Sequence, residues 1–174
     1  MKRINKDHKI GAIIQARINS SRLYGKIFSL LDGRPVLEHI VQKLNKSKFL
    51  DEVIIATSDD DDDIKIVNWC REKNIKYFTG EKSDVLSRFY NCALKYNLDS
   101  IVRVTSDNPL IDIEIVDEVI NLYQKKYDYA ANNVIKTFPH GLDVEVFNFY
   151  SLEKSFFDAK NESSREHVTQ YIRQ

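Results

Sequence analysis

The chain predicts an α/β fold built on a mostly parallel sheet, and three observations carry that expectation. Apolar runs of strand length alternate with longer stretches of helical periodicity. Two of those runs, over 10–16 and 100–105, stop abruptly at polar loops. The length of 174 residues suits one domain, 1–174, with room for a real core.

The elements follow in order. The first strand is expected over 10–16. A helix over 35–47 follows, with Pro35 suited to its first position and Val36, Leu37, Ile40, Val41 and Leu44 as its apolar stripe. A buried strand over 52–57 precedes a helix that opens near Asp62 and turns Ile64, Val67 and Cys70 inward. A short strand over 75–78 comes next. Ser83 is the expected N-cap of a helix running to Tyr96 through Val85, Leu86, Phe89, Ala93 and Leu94. A fourth strand over 100–105 leads to a helix over 113–125. Strands are expected over 128–132 and, antiparallel, over 142–147, where apolar and polar residues alternate. Two short helices close the chain, the second with a capping box at Ser163 and Glu166.

Composition narrows the class. Hydrophobic residues make up 43% and charged residues 30%, ordinary for a soluble globular protein. A net charge of zero gives no support to a nucleic-acid or membrane partner. Residues 1–34 nevertheless hold eight Lys/Arg against two Asp, an excess of six. An anionic ligand near the first loop explains that bias better than a DNA groove, since no basic stripe continues along a helix. Cys70 and Cys92 have no C-x-x-C spacing and read as buried small apolar residues in a reducing compartment. The chain has no signal peptide and no apolar run near membrane-spanning length, so the cytoplasm is the expected location.

The most informative stretch runs from Ile13 to Lys26. The apolar run ends at Ala16 and gives way to a polar loop holding Arg17, Ser20, Ser21, Arg22, Gly25 and Lys26. Cations, hydroxyls and backbone N–H groups in one loop suit a polyphosphate, and Gly25 permits close backbone approach. The spacing is neither G-x-x-x-x-G-K-[ST] nor G-x-G-x-x-G, so side chains must do most of the gripping. The alternative is a solvated loop whose cations serve solubility.

Asp107 is the second signal. It falls at the carboxyl end of a predicted strand, where open α/β sheets place ligands. A lone carboxylate there can hold Mg²⁺, with water and phosphate completing the shell. An Asx-turn ahead of Pro109 explains the same residues equally well. Farther on, strand alternation puts Asp143 and Glu145 on one face, opposite Leu142, Val144 and Val146. That face can meet a polyhydroxylated acceptor or be the wet side of a half-buried strand. The run Asp59 to Asp63 reads as helix-start acids in water rather than as a metal site.

Taken together, these blocks resemble the cytidylyltransferases that activate sugars and sugar acids as CMP derivatives. The nearest likeness is the spore-coat polysaccharide branch, related to the CMP-sialate and CMP-ketodeoxyoctonate synthetases. Residues 13–26 resemble that branch's I-I-Q-A-R-x-x-S-x-R-L-P-G-K, with Tyr24 where proline is usual. Ala56 to Asp60 matches A-T-S-D-D. Thr105 to Asp112 is similar to T-G-D-x-P-L-I-D, with Ser106 in place of glycine. Residues 140–146 resemble D-G-L-D-V-E-V, and residues 164–169 resemble E-R-E-H-V-T.

The resemblance implies a Rossmann-like three-layer nucleotide-diphospho-sugar transferase fold and transfer from CTP to a sugar or sugar-acid acceptor, with pyrophosphate leaving. It implies Arg17, Lys26 and Asp107 as the catalytic set, with Asp107 on Mg²⁺. Ala16, Arg17, Ser20, Ser21, Arg22 and Lys26 would hold nucleotide, with Ser83, Asp84 and Arg88 beside the base. Ser83 as a helix cap and Arg88 as a surface cation are the alternatives. His140, Asp143, Glu145, Arg165 and His167 would face the acceptor; no residue stands out as general base, with Asp143 and His140 the candidates. Arg165 and His167 could instead meet a neighbouring subunit. A homodimer is an open option, because relatives pair and Phe156, Phe157 and Tyr171 look exposed.

The family continues past the last block to T-V-D-T-P-E-D, which supplies a second metal carboxylate, whereas this sequence stops at Gln174. The alternative is therefore a nucleotide-binding module or partial subunit without turnover. A glycosyltransferase of related fold is disfavoured, since Asp107 is followed by Asn108 and Pro109 rather than completing D-x-D.

Overall fold

The computed structural model describes residues 7–19, 23–135 and 137–174. A six-stranded sheet forms its centre. Strands β1 (Ile10–Gln15), β4 (Glu52–Ser58), β5 (Lys76–Gly80) and β6 (Ser100–Thr105) run parallel. Strand β8 (Glu145–Asn148) lies antiparallel to β6 and to β7 (Tyr129–Ala131), giving the order β5-β4-β1-β6-β8-β7. The chain leaves β1 toward β4 on one side and later returns to β6 on the other. The gap beyond the ends of β1 and β6 is thus a topological switch point.

Alternation along the strands decides what each face covers. Ile10, Ala12 and Ile14 of β1 pack with α1 (Val36–Leu44), α2 (Ile64–Glu72) and α4 (Ile113–Tyr123), through Leu37, Ile40, Ile66, Cys70, Val116 and Ile120. Ile13 faces the other way, with Ile54, Ile101 and Phe147, against Phe89 of α3 (Val85–Tyr96) and Leu152 of α5 (Phe149–Asp158). A short α6 (Glu162–Glu166) follows. The result is a three-layer, Rossmann-like arrangement, as expected. Each fully buried Ile or Leu contributes about 1.5–3 kcal/mol. Burial also pushes the Cys70 and Cys92 thiols up to about 12, in keeping with inert apolar packing.

Several expected details shift. Residues 61–63 form a 3₁₀ turn before α2, and the helix turns Ile66 rather than Ile64 inward; Ile64 is 51% exposed. Leu94 also faces outward. Asp84, not Ser83, caps α3, because its carboxylate accepts the Ser87 N–H at 2.9 Å while the Ser83 hydroxyl turns to Glu81. Asn161 rather than Ser163 caps α6, accepting the Ser164 N–H at 2.7 Å. Phe156 stacks on Tyr90 with ring centroids 4.3 Å apart, and Tyr171 packs against the same cluster, so Phe157 is the exposed one of the three aromatics. A hairpin of β2 (Leu30–Leu31) and β3 (Arg34–Pro35) was not anticipated; Asp32 and Gly33 both take positive φ at its turn. No helix among the described residues is long and apolar enough to cross a membrane.

Candidate active site

The switch point brings the first loop against Asp107. Lys26 opens a one-turn 3₁₀ helix directly after Gly25, and its ammonium donates to the Asp107 carboxylate at 2.8 Å, across 81 residues of sequence. Gly25 is needed for its backbone, at φ 67°, and its N–H closes the loop onto the Ile18 carbonyl at 2.9 Å. A side chain there would meet nothing within 4 Å, so conformation rather than close approach is the reason for glycine. Burial alone would raise the Asp107 carboxyl, but Lys26 and the Thr105 hydroxyl outweigh it and hold the group below its ordinary value. Asp107 is thus an ionised carboxylate, 39% exposed, at a strand end. Its side chain pairs across the loop with Lys26, 81 residues away.

The acidic run, expected in water, anchors this loop instead. Asp63 is 2% exposed and accepts from the Ile18 N–H at 2.6 Å and from the Ser58 hydroxyl. Asp62 accepts from Asn19 at 2.8 Å and from the Tyr24 hydroxyl at 3.3 Å. Tyr24 therefore ties the loop down through its phenol, where the family pattern has proline. Asp60 pairs with Lys82. Among the described residues no group of three or more His, Cys, Asp or Glu is placed to hold a metal.

The remaining nucleotide candidates divide. Ser20, Ser21 and Arg22 lie outside the described residues. Ala16 is 1% exposed, its N–H committed to the Ala56 carbonyl at 3.0 Å. Arg17 is exposed just past β1. Arg88 is no surface cation: it is 2% exposed and donates to the Glu81 carbonyl at 2.9 Å. Its Nε, also buried, has no hydrogen-bond partner among the described residues. Burial lowers its guanidinium value, Asp63 opposes that, and the like charge of Arg17 adds to it. Ser83 is exposed, and Asp84 joins α3 to α6 through Arg165, whose Nε donates to it at 2.7 Å. Arg165 also donates to the Phe156 carbonyl, so its contacts are structural rather than with an acceptor cavity.

Three of the five acceptor candidates share one cavity of about 280 Å³. His140, Asp143 and Glu145 line it together with Arg103, Thr105, Asn108 and Arg173. Asn108 neighbours Asp107 in sequence, which puts this cavity beside the switch point. His167 lines an adjoining cavity of about 460 Å³ that shares Arg103 and Arg173.

Glu145 is not on an open, wet face. It is 2% exposed, and Arg103, Arg173, Tyr129 and Thr169 all donate to it. Burial would raise its carboxyl, but Arg103 first and then Arg173 hold it below the ordinary value. Asp143 precedes β8 and has no such cage.

Arg103, Arg173 and Asp63 escaped the sequence reading. Arg103 did leave a signal, a cation interrupting the apolar run Ile101, Val102, Val104. Arg173 carried none, because Glu145 is distant in the chain, and Asp63 reads only as one of the helix-start acids, since its Ile18 partner lies 45 residues away.

This geometry can be set beside known proteins. The chain is 44% identical over 166 residues to an uncharacterised protein of Methanocaldococcus jannaschii, covering 94% of this chain and 67% of that one. It is 34% identical over 167 residues to the spore coat polysaccharide biosynthesis protein SpsF of Bacillus subtilis, covering 92% and 68% respectively. The structure of a cytidylyltransferase from Leptospira borgpetersenii superposes with a TM-score of 0.90 at 33% identity, over 95% of this chain and 71% of that one. The family model described as Cytidylyltransferase matches residues 11–174, a span that includes the first loop, Asp107 and both cavities. The chain belongs to the cytidylyltransferase family and is a nucleotidyltransferase enzyme.

Proposed function

We propose that the chain transfers the cytidylyl group of CTP to a hydroxyl of a sugar or sugar acid, as a step in building a surface glycan. The observation that carries this reading is the Lys26–Asp107 pair at the switch point, with a polar cavity alongside. The crevice beyond β1 and β6 would then supply a cation for phosphate and a carboxylate for a metal, and the adjoining cavity would give room for an acceptor. The spore-coat relative supports the glycan assignment.

In the proposed reaction the acceptor oxygen attacks the α-phosphorus of CTP, the bond to the β-phosphate oxygen breaks, and pyrophosphate leaves. Lys26 and Arg17 would neutralise the charge that builds on the leaving group. The acceptor proton would pass to a base, for which Asp143 and His140, both lining the polar cavity, are the candidates. Asp107 fits Mg²⁺ as a single ionised ligand, since that ion takes its other positions from water and phosphate oxygens. When bound, Mg²⁺ would supply charge stabilisation on the phosphoryl oxygens.

The test is pyrophosphate release from CTP with Mg²⁺ and a panel of neutral and acidic sugars. Release that needs one acceptor class and CTP, and that fails with ATP, is the expected result. CTP binding with no release from any acceptor would reduce the reading to nucleotide binding by this chain alone.

A further inference from the structure

The same ion pair has a consequence for the order in which the site fills. The Asp107 carboxylate already has a cationic partner within the chain. Lys26 Nζ sits 2.8 Å from Oδ2, and Lys26 with the nearby Thr105 hydroxyl favours the ionised carboxylate. The lysine is held there. Gly25 is closed onto Ile18, and Ile18 is held by the buried carboxylate of Asp63. The pair is also partly shielded, with 27% and 39% of the two side chains exposed, so water screens it less than a fully exposed pair.

A divalent cation approaching Asp107 must therefore displace an ammonium of the same sign. A triphosphate offers that ammonium a partner of higher negative charge and draws it off the carboxylate.

We infer that Lys26 is a guard on Asp107: it keeps divalent metal off the carboxylate until nucleotide phosphates take the lysine, so that metal and nucleotide bind with positive coupling. The inference rests on the proposed CTP site and adds to it a defined order of filling. Reciprocity requires that bound metal also favour nucleotide.

The experiment reads Mn²⁺ binding to the protein without nucleotide, by electron paramagnetic resonance of the free ion, in wild type, Lys26→Gln, Lys26→Arg, Asp107→Asn and the double variant Lys26→Gln/Asp107→Asn. Lys26→Gln should bind Mn²⁺ several-fold more tightly than wild type, on the order of five-fold for a pair screened at this depth. Lys26→Arg keeps the charge and should match wild type, while Asp107→Asn and the double variant should sit at background. Circular dichroism identical to wild type in all four variants confirms that the fold is retained.

Equal or weaker Mn²⁺ binding in Lys26→Gln overturns the guard, as does gained binding that survives in the double variant. A parallel titration of wild type with CTP and Mg²⁺ separates the two levels. Absence of CTP binding there sinks the functional reading, whereas CTP binding without the Lys26→Gln gain sinks the guard alone.

Discussion

At position 145 a carboxylate lies 2% exposed and accepts from four side chains, two of them guanidinium groups. Asp143 and Glu145 line the same cavity, although the strand expected over 142–147 begins only at Glu145 and Asp143 reaches the cavity from the loop before it. Strand alternation could not reveal that Arg103, Tyr129, Thr169 and Arg173 would cage Glu145, since each comes from a different part of the chain. Glu145 therefore positions Arg103 and Arg173 in the wall of the cavity. Glu145→Gln removes the charge and leaves the Arg103 guanidinium, 17% exposed, without its counter-ion. A loss of about 3 kcal/mol at pH 7 is expected, within the range for breaking a buried pair.

The sign of the pH dependence follows from the direction of the shift. The folded Glu145 carboxyl is held below its unfolded value, so its stabilisation is complete above that value, near about 4.3, and is lost as pH falls through the folded one. Urea unfolding at pH 7 and at pH 3 should show the wild-type and Glu145→Gln stabilities converging at the lower pH. Parallel losses would remove the charge from the explanation.

At the scale of elements, β6 was legible to the residue, and β1 and β4 to within one, because buried parallel strands read as apolar runs. Helix starts were less legible. Ser83 and Asp84 are adjacent capping types, and only the turn of the chain selects Asp84. The β2–β3 hairpin did carry a signal, Asp32-Gly33 between Leu31 and Arg34, a dipeptide suited to a tight turn.

The acidic segment was the least legible element, since helix-start aspartates ordinarily face water. Here Asp63 turns inward to hold the first loop. Asp63→Ala would leave the Ile18 N–H and the Ser58 hydroxyl without this acceptor and cost about 1–3 kcal/mol. Thermal unfolding reads that loss. Hydrogen exchange at the Ile18 amide should accelerate more than exchange in α5, which lies on the opposite face of the sheet from α2. Uniform acceleration would mean that Asp63 stabilises the molecule without anchoring the loop.

For the molecule as a whole, topology converts separate motifs into one site. The first loop follows β1 and Asp107 follows β6, and these strands are neighbours in register, with Gln15 opposite Thr105. Two segments some ninety positions apart are therefore delivered to one crevice by the order of the strands alone. The motifs could be found in the sequence because they are short and local. Their convergence could only be expected, since strand order depends on long-range pairing. Arg88 illustrates the limit: its type and position were noted, but its burial beneath Gly80 and beside Asp63 belongs to the assembled fold.

The core of the account is that triphosphate lies over the crevice shared by Lys26 and Asp107. Isothermal titration of CTP and of cytidine into wild type and Lys26→Ala tests this directly. CTP affinity should fall by at least about ten-fold, the scale of a charge-assisted contact, while cytidine affinity stays as it was. Equal losses for both ligands, or no loss for CTP, would contradict it.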